Sequence, residues 1–170
     1  HQKDAIDKIS DYINKNVFGT FLLFGLTGSG KTEVYIKTVE NVVRRGKKAI
    51  VLVPEIILTP VILERFVKYF KNRIAIYHSG LKKTERLYEW NRVRNNEVDI
   101  VIGTRSAIFA PFENLGIIIL DEEFDNSYKQ ENDPKYNARE VALMRAKYNN
   151  AVLILGSATP SIETYFKAKN

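Results

Sequence analysis

The residues from Gly25 to Thr32 have the spacing of a loop that binds phosphate. They fit the pattern G-x-x-x-x-G-K-T. Glycines let the backbone wrap closely around a phosphate, and consecutive N–H groups point inward where the next helix begins. Lys31 would bring a positive charge to the β- and γ-phosphates of a nucleotide, and the Thr32 hydroxyl would ligate Mg²⁺. The pattern predicts these binding residues: Gly25, Thr27, Gly28, Ser29, Gly30, Lys31 and Thr32.

Three acidic residues, Asp121, Glu122 and Glu123, follow the apolar run 117–120. Ligands of open α/β sheets bind outside the carboxyl ends of the strands, so a carboxylate at this point is well placed for catalysis. We predict that Asp121 is the second metal residue beside the loop hydroxyl, acting through coordinated water. We predict that Glu122 is the base that orients the attacking water, so that Lys31, Asp121 and Glu122 are the catalytic residues. The alternatives are a chance glycine-rich turn and acidic residues that merely lie in a polar loop.

The elements that must position these residues alternate between two patterns. Apolar residues recur at helical spacing over 3–15, 31–43, 60–69, 82–94, 138–148 and 161–168. Continuous apolar runs predict buried strands at 21–24, 49–53, 74–77, 100–102, 117–120 and 152–155. Strands that are apolar on both faces and separated by helices predict a parallel sheet covered on each side. We therefore predict a single three-layer α/β domain over 1–170, with a mainly parallel central sheet.

Composition excludes several classes of protein. The 170 residues contain no cysteine, which rules out disulfides, zinc–thiolate sites and thiol catalysis within this chain. No apolar run approaches the roughly 20 residues needed to span a bilayer, so no membrane partner is expected. The formal net charge is +6, which permits a polyanionic partner without proving one. Because the chain opens on His1 rather than Met, we expect it to be a fragment of a longer protein.

A polar loop with aromatic and basic residues, 124–139, follows the carboxylates directly. Tyr128 and Tyr136 offer rings on which bases could stack, at about 1–3 kcal/mol per base. Lys129 and Arg139 offer charges for phosphates. We predict that this loop contacts single-stranded DNA and that a bound strand repositions Glu122, which would make hydrolysis depend on DNA. The alternative is an ordinary polar loop with two half-buried tyrosines.

Six motifs in order resemble those of superfamily 2 helicases, most closely the bacterial primosomal helicases that restart stalled replication forks. They read GLTGSGKTEVY (25–35), LVPEIILTP (52–60), HSGL (78–81), GTRSAIFAPF (103–112), DEEFDNSYKQ (121–130) and GSATPSIET (156–164). The resemblance covers nearly the whole chain and implies the N-terminal RecA-like domain of such a helicase. It implies ATP and Mg²⁺ as cofactors, and hydrolysis that drives 3′-to-5′ movement on single-stranded or forked DNA. It also implies a location in the bacterial cytoplasm.

The same resemblance implies roles for further residues. Gln2 lies upstream of the phosphate loop, roughly where the family has a glutamine that reads adenine. Pro54, Glu55, Thr104 and Arg105 would line the path of the single strand. Arg105 has an alternative role, which is to hold a carboxylate of its own domain.

Three positions are expected to couple the nucleotide site to the strand. Ser157 and Thr159 belong to the motif that has this role in the family. Phe124 stands where the family usually has a histidine that links the γ-phosphate side to the DNA side. An apolar ring cannot donate that hydrogen bond, so coupling at this position is expected to differ, and Phe124 could instead pack beneath the following loop.

The resemblance also implies partners for the domain. They are a second RecA-like lobe of the same protein, the proteins of the primosome and single-strand-binding proteins. An arginine from the second lobe would be worth on the order of 10³–10⁵ in rate, so we expect the isolated domain to bind ATP weakly and hydrolyse it poorly. The main alternative is a nucleotide-gated DNA-binding or translocating module without strand separation. A small-molecule kinase is a weaker alternative, because it has no use for the Ser-Ala-Thr motif after a later strand.

Overall fold

Helices and strands alternate along the chain. The computed structural model describes residues 2–26, 28–54 and 60–159. The helices are α1 (Gln2–Lys15), α2 (Lys31–Arg44), α3 (Pro60–Phe70), α4 (Lys83–Arg94) and α5 (Ala138–Tyr148). The strands are β1 (Gly19–Phe24), β2 (Lys48–Leu52), β3 (Ile74–Tyr77), β4 (Ile100–Gly103), β5 (Leu115–Leu120), β6 (Lys129–Gln130), β7 (Tyr136–Asn137) and β8 (Val152–Ser157). Single 3₁₀ helices span Lys71–Arg73, Arg105–Phe109 and Asn126–Tyr128. The helix predicted over 161–168 lies outside the described residues.

Six of the strands form one parallel sheet in the order β1-β8-β5-β2-β4-β3. Parallel neighbours need long crossover connections, and here these connections carry the helices that cover the two faces. The short strands β6 and β7 form a separate antiparallel pair in the loop after β5. The predicted three-layer α/β fold with a mainly parallel sheet is confirmed.

The apolar core lies on both faces of this sheet. Within β5, Ile117 and Ile119 pack into the cluster that contains residues of α1, α2 and α3. Their neighbours Ile118 and Leu120 pack into the cluster on the other face, which contains residues of α4 and α5. Side chains of a strand point alternately to opposite faces, so a strand buried on both faces must be apolar at every position. This requirement explains why the central strands have continuous apolar sequences.

Backbone contacts at the strand ends leave no room for side chains at one position. A Cβ at Gly103 would lie well inside 3.0 Å of the carbonyl oxygen of Tyr77. The next residue, Thr104, donates its backbone N–H to the same oxygen at 3.1 Å. Glycine at the end of β4 therefore lets the chain turn sharply into the 3₁₀ helix Arg105–Phe109.

Two groups of polar contacts brace the domain away from the carboxyl edge of the sheet. Lys48 donates to Asp99 Oδ1 at 2.9 Å, and Arg73 donates to Asp99 Oδ2 at 2.5 Å. Burial raises the pKa of Asp99, but the hydrogen bonds from these two cations outweigh it and leave the pKa below its ordinary value. On α5, the guanidinium of Arg145 donates to the backbone carbonyls of residues 108, 110 and 112.

Among the described residues, no helix is long and apolar enough to cross a bilayer.

Candidate active site

Lys31 and the carboxylates of the 121–123 segment lie together at the carboxyl edge of the sheet. The strands β1, β8 and β5 are neighbours in the sheet, so the segments that follow them meet. Lys31 Nζ donates to Glu122 Oε1 at 3.0 Å and to the carbonyl oxygen of Gly25 at 2.8 Å. Residues 91 positions apart in the sequence thus share one ion pair, and the Lys31 side chain is mostly buried.

The phosphate-loop pattern adopts the backbone conformation that its glycines permit. Gly28 and Gly30 have φ angles of 82° and 91°, in the left-handed region that residues with a Cβ disfavour. Gly30 immediately precedes α2, so the first N–H groups of that helix face the loop. The half-buried Thr32 lies in the first turn of α2. Thr27 lies outside the described residues.

Gln2 lies against this loop. Its side-chain amide donates to the carbonyl oxygen of Ser29 at 2.7 Å. A Cβ at Gly30 would collide with the same amide nitrogen. The structure thus brings Gln2 to the loop, where its amide is bound to the backbone.

Asp121 is held from several sides and is only 6% exposed. The hydroxyl of Tyr35 donates to its Oδ1 at 2.8 Å, and its backbone N–H donates to Leu52 O at 2.9 Å. Burial raises the pKa of the Asp121 carboxyl above its ordinary value, although the Tyr35 hydrogen bond works in the opposite direction. Burial also raises the pKa of Tyr35, so the hydroxyl remains a donor. Gly156 on β8 lets Tyr35 approach, because a Cβ there would collide with the hydroxyl oxygen.

Glu122 connects two loops while its own backbone is strained. Its φ angle is 44°, in the left-handed region, which costs a residue with a side chain about 1–3 kcal/mol. Its Oε2 accepts a hydrogen bond from the backbone N–H of Ala158 at 3.1 Å. Next to this contact, Ser157 O accepts from Gly25 N at 3.1 Å. The phosphate loop, the acidic segment and the Ser-Ala-Thr segment are therefore joined by direct hydrogen bonds.

The third carboxylate of the segment, Glu123, pairs with Arg139. Its side chain is fully buried, and its Oε2 lies 3.1 Å from Nη1 of Arg139 at the start of α5. Arg139 is therefore engaged within the domain rather than presented to a phosphate. Asn137 caps the N-terminus of α5, because its side-chain oxygen accepts from the N–H of Arg139 at 3.0 Å.

The prediction that Tyr128 stacks on a base is wrong. The residue is 2% exposed, so neither face of the ring is available. Its hydroxyl donates to the backbone carbonyl of Asp121 at 2.6 Å and lies 3.2 Å from that of Leu52. Buried tyrosines need such a partner for the hydroxyl, and the strand ends supply two. Tyr128 thus fixes the loop to the sheet.

Two more residues predicted to line a strand path have buried side chains. Thr104 is 3% exposed, and Pro54 is buried at the end of β2. A side chain with so little accessible surface cannot contribute much contact area to a bound strand, so these two predictions need correction. Glu55 lies outside the described residues.

Arg105 holds backbone rather than a carboxylate. Its Nη1 donates to the carbonyl oxygens of Ser127, at 3.1 Å, and of Lys129. Its guanidinium also lies 5.9 Å from the ring centre of Tyr136. The half-buried Tyr136 packs edge-on against Phe109, with ring centres 4.9 Å apart. Of the predicted strand-binding side chains in the loop, only that of Lys129 is exposed.

The coupling residues have different environments. Phe124 is 60% exposed, so the expectation that it packs beneath the following loop is wrong. Ser157 is buried, and its Oγ accepts from the N–H of the exposed Thr159 at 3.1 Å. The Ser-Ala-Thr segment therefore bonds both to itself and to the acidic segment.

Three residues that shape this site have no role predicted from the sequence: Tyr35, Glu123 and Gly156. Tyr35 follows Lys31 by four positions on a predicted helix, a spacing that places two side chains on one face. That spacing could have revealed it. The partner of Glu123 and the close approach at Gly156 depend on tertiary contacts, for which the sequence carries no local pattern.

The donor set fits Mg²⁺ that is shared with phosphates. Among the described residues, no group of three or more His, Cys, Asp or Glu side chains could hold a metal ion. Mg²⁺ usually keeps several waters and binds through one or two carboxylates together with substrate phosphates. One buried carboxylate, Asp121, and one hydroxyl, Thr32, at the ends of neighbouring segments match this chemistry.

Comparisons with known proteins agree with the motifs. A family model described as DEAD/DEAH box helicase matches residues 1–167. Replication restart protein PriA of Bacillus subtilis (strain 168) is 50% identical over 168 residues, which are 99% of this chain and 21% of that protein. PriA of Haemophilus influenzae is 50% identical over 153 residues, which are 90% of this chain and 21% of that protein. The chain thus spans about a fifth of the length of these relatives.

Solved structures share the fold. RecG bound to a three-way DNA junction has a TM-score of 0.65 at 24% identity, over 97% of this chain and 22% of that one. A hypothetical ATP-dependent RNA helicase from Sulfolobus tokodaii has a TM-score of 0.60 at 22% identity, over 97% of this chain and 48% of that one. These likenesses confirm a RecA-like helicase fold, and the sequence matches confirm the resemblance that the six motifs predicted.

Proposed function

Since the chain belongs to the DEAD/DEAH box helicase family, we propose that it is the ATP-binding domain of a DNA helicase that restarts replication forks. The observation that carries the proposal is the contact of Lys31 with Glu122, next to the buried carboxylate of Asp121. At one sheet edge, Lys31 would supply the cation, Asp121 the carboxylate for Mg²⁺ and Glu122 the base that phosphoryl transfer to water requires. The identity to PriA proteins supports the role in replication restart.

Lys31 is the group that would meet the β- and γ-phosphates. To do so it exchanges its hydrogen bonds to Gly25 O and Glu122 for bonds to phosphate oxygens. Thr32 and Asp121 would hold Mg²⁺, which when bound offsets negative charge on the phosphates. Gln2 already touches the loop backbone and is the residue proposed to read adenine.

Glu122 would serve as the base once Lys31 leaves it. The departure frees Oε1 to accept a hydrogen bond from the attacking water, while Oε2 keeps its bond to Ala158 N. The same Ser-Ala-Thr segment is bonded to the phosphate loop through Ser157 O and Gly25 N. A change at the phosphates can therefore be passed to this segment through adjacent hydrogen bonds, as the coupling role of Ser157 and Thr159 requires.

We propose that a single DNA strand crosses the surface beyond the carboxyl edge of the sheet. Lys129 presents an exposed charge there, and Phe124 presents an exposed ring that could stack on a base. Arg105 and Arg139 support this surface from within, because both are bound to groups of the domain. On the resemblance to PriA, we also propose that the full-length protein moves from 3′ to 5′ on DNA. On the same ground, we propose that it has a second lobe and that it binds the proteins of the primosome.

The Lys31→Ala variant of the full-length protein tests the proposal. We expect it to bind forked DNA within about twofold of the parent but to lose unwinding, because Lys31 lies away from the strand surface and serves the phosphates. Lys37→Ala is the matched control, since Lys37 lies on the same helix but contacts Tyr69 and Glu40. Normal unwinding by Lys31→Ala would contradict the proposal.

A second function, nucleotide-gated DNA binding without strand separation, is favoured by one observation. Phe124 stands exposed at the position where the family usually has the coupling histidine. Single-turnover unwinding of a forked duplex by the full-length protein distinguishes the two functions. We also expect the 170-residue chain alone to hydrolyse ATP far more slowly than the full-length protein with DNA present, and similar turnover would refute the need for a second lobe.

A further inference from the structure

Tyr35 is a fully buried side chain on α2. It lies one helical turn after Lys31 and is 0% exposed. Its hydroxyl donates to Asp121 Oδ1 at 2.8 Å. The hydrogen bond therefore joins α2 directly to the carboxylate of the segment that follows β5.

The surroundings of the Tyr35 hydroxyl show that its position is fixed. Gly156 passes so close that any side chain there would collide with the oxygen. Asp121 in turn is held through its backbone by Leu52 O and by the Tyr128 hydroxyl. Because hydrogen bonds hold its backbone on two sides, the Asp121 side chain can move only by rotation about its own bonds. The hydrogen bond from Tyr35 restricts that rotation.

We propose that Tyr35 is a positioning residue that fixes the Asp121 carboxylate in the orientation in which it receives Mg²⁺. The inference rests on the proposed function, since it concerns the same metal site. Partners of metal-binding groups typically contribute 10–100-fold to metal affinity or activity, because they fix the orientation of the ligand. Tyr35 has this relation to Asp121, because its hydroxyl donates to the carboxylate oxygen Oδ1.

The test is the dependence of nucleotide binding on Mg²⁺. The dissociation constant of a fluorescent ATP analogue is measured for the chain in excess MgCl₂ and in excess EDTA. The constant in EDTA divided by the constant in MgCl₂ is the Mg²⁺ ratio, and this ratio is compared between variants. We expect Tyr35→Phe to lower this ratio about tenfold relative to the parent. Binding in EDTA should stay within about twofold, because the phosphate loop is unchanged.

Tyr128→Phe is the matched control. It also removes a buried hydroxyl bound to Asp121, but that hydroxyl is bound to the backbone carbonyl rather than to the carboxylate. We expect the Mg²⁺ ratio of this variant to stay within about twofold of the parent, whatever its loss of thermal stability. Gly156→Ala is a second test variant, which keeps the hydroxyl but displaces it, and should lower the ratio as Tyr35→Phe does.

The outcomes separate the inference from the proposed function. An unchanged Mg²⁺ ratio in Tyr35→Phe, or equal losses in Tyr35→Phe and Tyr128→Phe, would overturn the positioning role while leaving the nucleotide site intact. Failure of the parent chain and of the full-length protein to bind the analogue in Mg²⁺ would instead overturn the proposed function. A selective loss in Tyr35→Phe and Gly156→Ala supports the inference.

Discussion

Alanine at position 156 should destabilise the chain mainly through one atom, the hydroxyl oxygen of Tyr35. The added Cβ would come far closer to that oxygen than the 3.0 Å that Cβ atoms keep, and 3.1 Å from Asp121 Oδ1. The oxygen must move by about 1.5 Å to relieve the overlap, because a well-packed core cannot absorb the extra atom otherwise. Such a shift breaks the 2.8 Å hydrogen bond from Tyr35 to Asp121.

The expected cost combines two effects. Overpacking a core costs about 1–3 kcal/mol. Loss of a hydrogen bond to a charged group costs about 1.5–3 kcal/mol. Gly156→Ala should therefore lower the free energy of unfolding by about 2.5–6 kcal/mol, a large share of the 5–15 kcal/mol typical of a domain. Tyr35→Phe loses only the hydrogen bond and should cost about 1.5–3 kcal/mol.

The double variant Gly156→Ala/Tyr35→Phe makes the test sharp. Without the hydroxyl oxygen, the nearest remaining atom is the ring carbon Cζ of Tyr35, 3.0 Å from the new Cβ. We expect the double variant to be more stable than the sum of the two single effects by about 1–3 kcal/mol, as contacting residues show. Urea unfolding of the four chains, followed by the fluorescence of Trp90 and by circular dichroism, measures this coupling.

Additivity of the two substitutions within about 0.5 kcal/mol would refute the reasoning. Gly103→Ala is the control for rescue, because its Cβ would collide with the backbone carbonyl of Tyr77, which no side-chain substitution removes. We expect Tyr35→Phe to leave the cost of Gly103→Ala unchanged.

Three further predictions concern single charged groups. Arg145→Lys keeps the charge but cannot reach three backbone carbonyls, so urea unfolding should show a loss of about 2–4 kcal/mol, against almost none for the exposed control Arg44→Lys. Burial raises the pKa of Asp99, but its two cations lower it more, so the folded pKa lies below the ordinary value. The contribution of Asp99 to stability is therefore present above the unfolded pKa and is lost as the pH falls through the folded pKa. Asp99→Asn should flatten this loss of stability at acidic pH in thermal melts. Burial raises the pKa of Asp121, so stability is lost as the pH rises through its folded pKa. We expect the stability of Asp121→Asn minus that of the parent to be larger at pH 7 than at acidic pH. A smaller difference at pH 7 would contradict this.

The sequence predicts the residues of the site that lie within one continuous segment of the chain. The left-handed glycines at 28 and 30 and the lysine after them belong to one continuous segment, so their spacing is enough. Asp121 follows a strand whose apolar run ends at Leu120, where the structure also ends β5. Topology then brings these segments together, because the ends of parallel strands share one edge.

The misassigned residues depend on which way a loop turns. Tyr128 looks equally suited to solvent and to the interior until the loop folds its hydroxyl toward the carbonyl of Leu52, 76 positions earlier. Phe124 shows the opposite error, since an apolar ring was expected inside and lies outside. Strands β6 and β7 have two residues each, too few to produce an alternating pattern.

The left-handed backbone of Glu122 has a consequence for how this position varies in evolution. Folding alone would favour glycine or asparagine at a φ of 44°, because neither is penalised there as a long side chain is. A glutamate persists at such a place only while selection acts on its carboxylate. We therefore expect descendants of this domain that lose hydrolysis to drift toward glycine or asparagine at position 122. This change should come before any change of the glycines of the phosphate loop, so the residue at position 122 would be an early sign that hydrolysis has been lost.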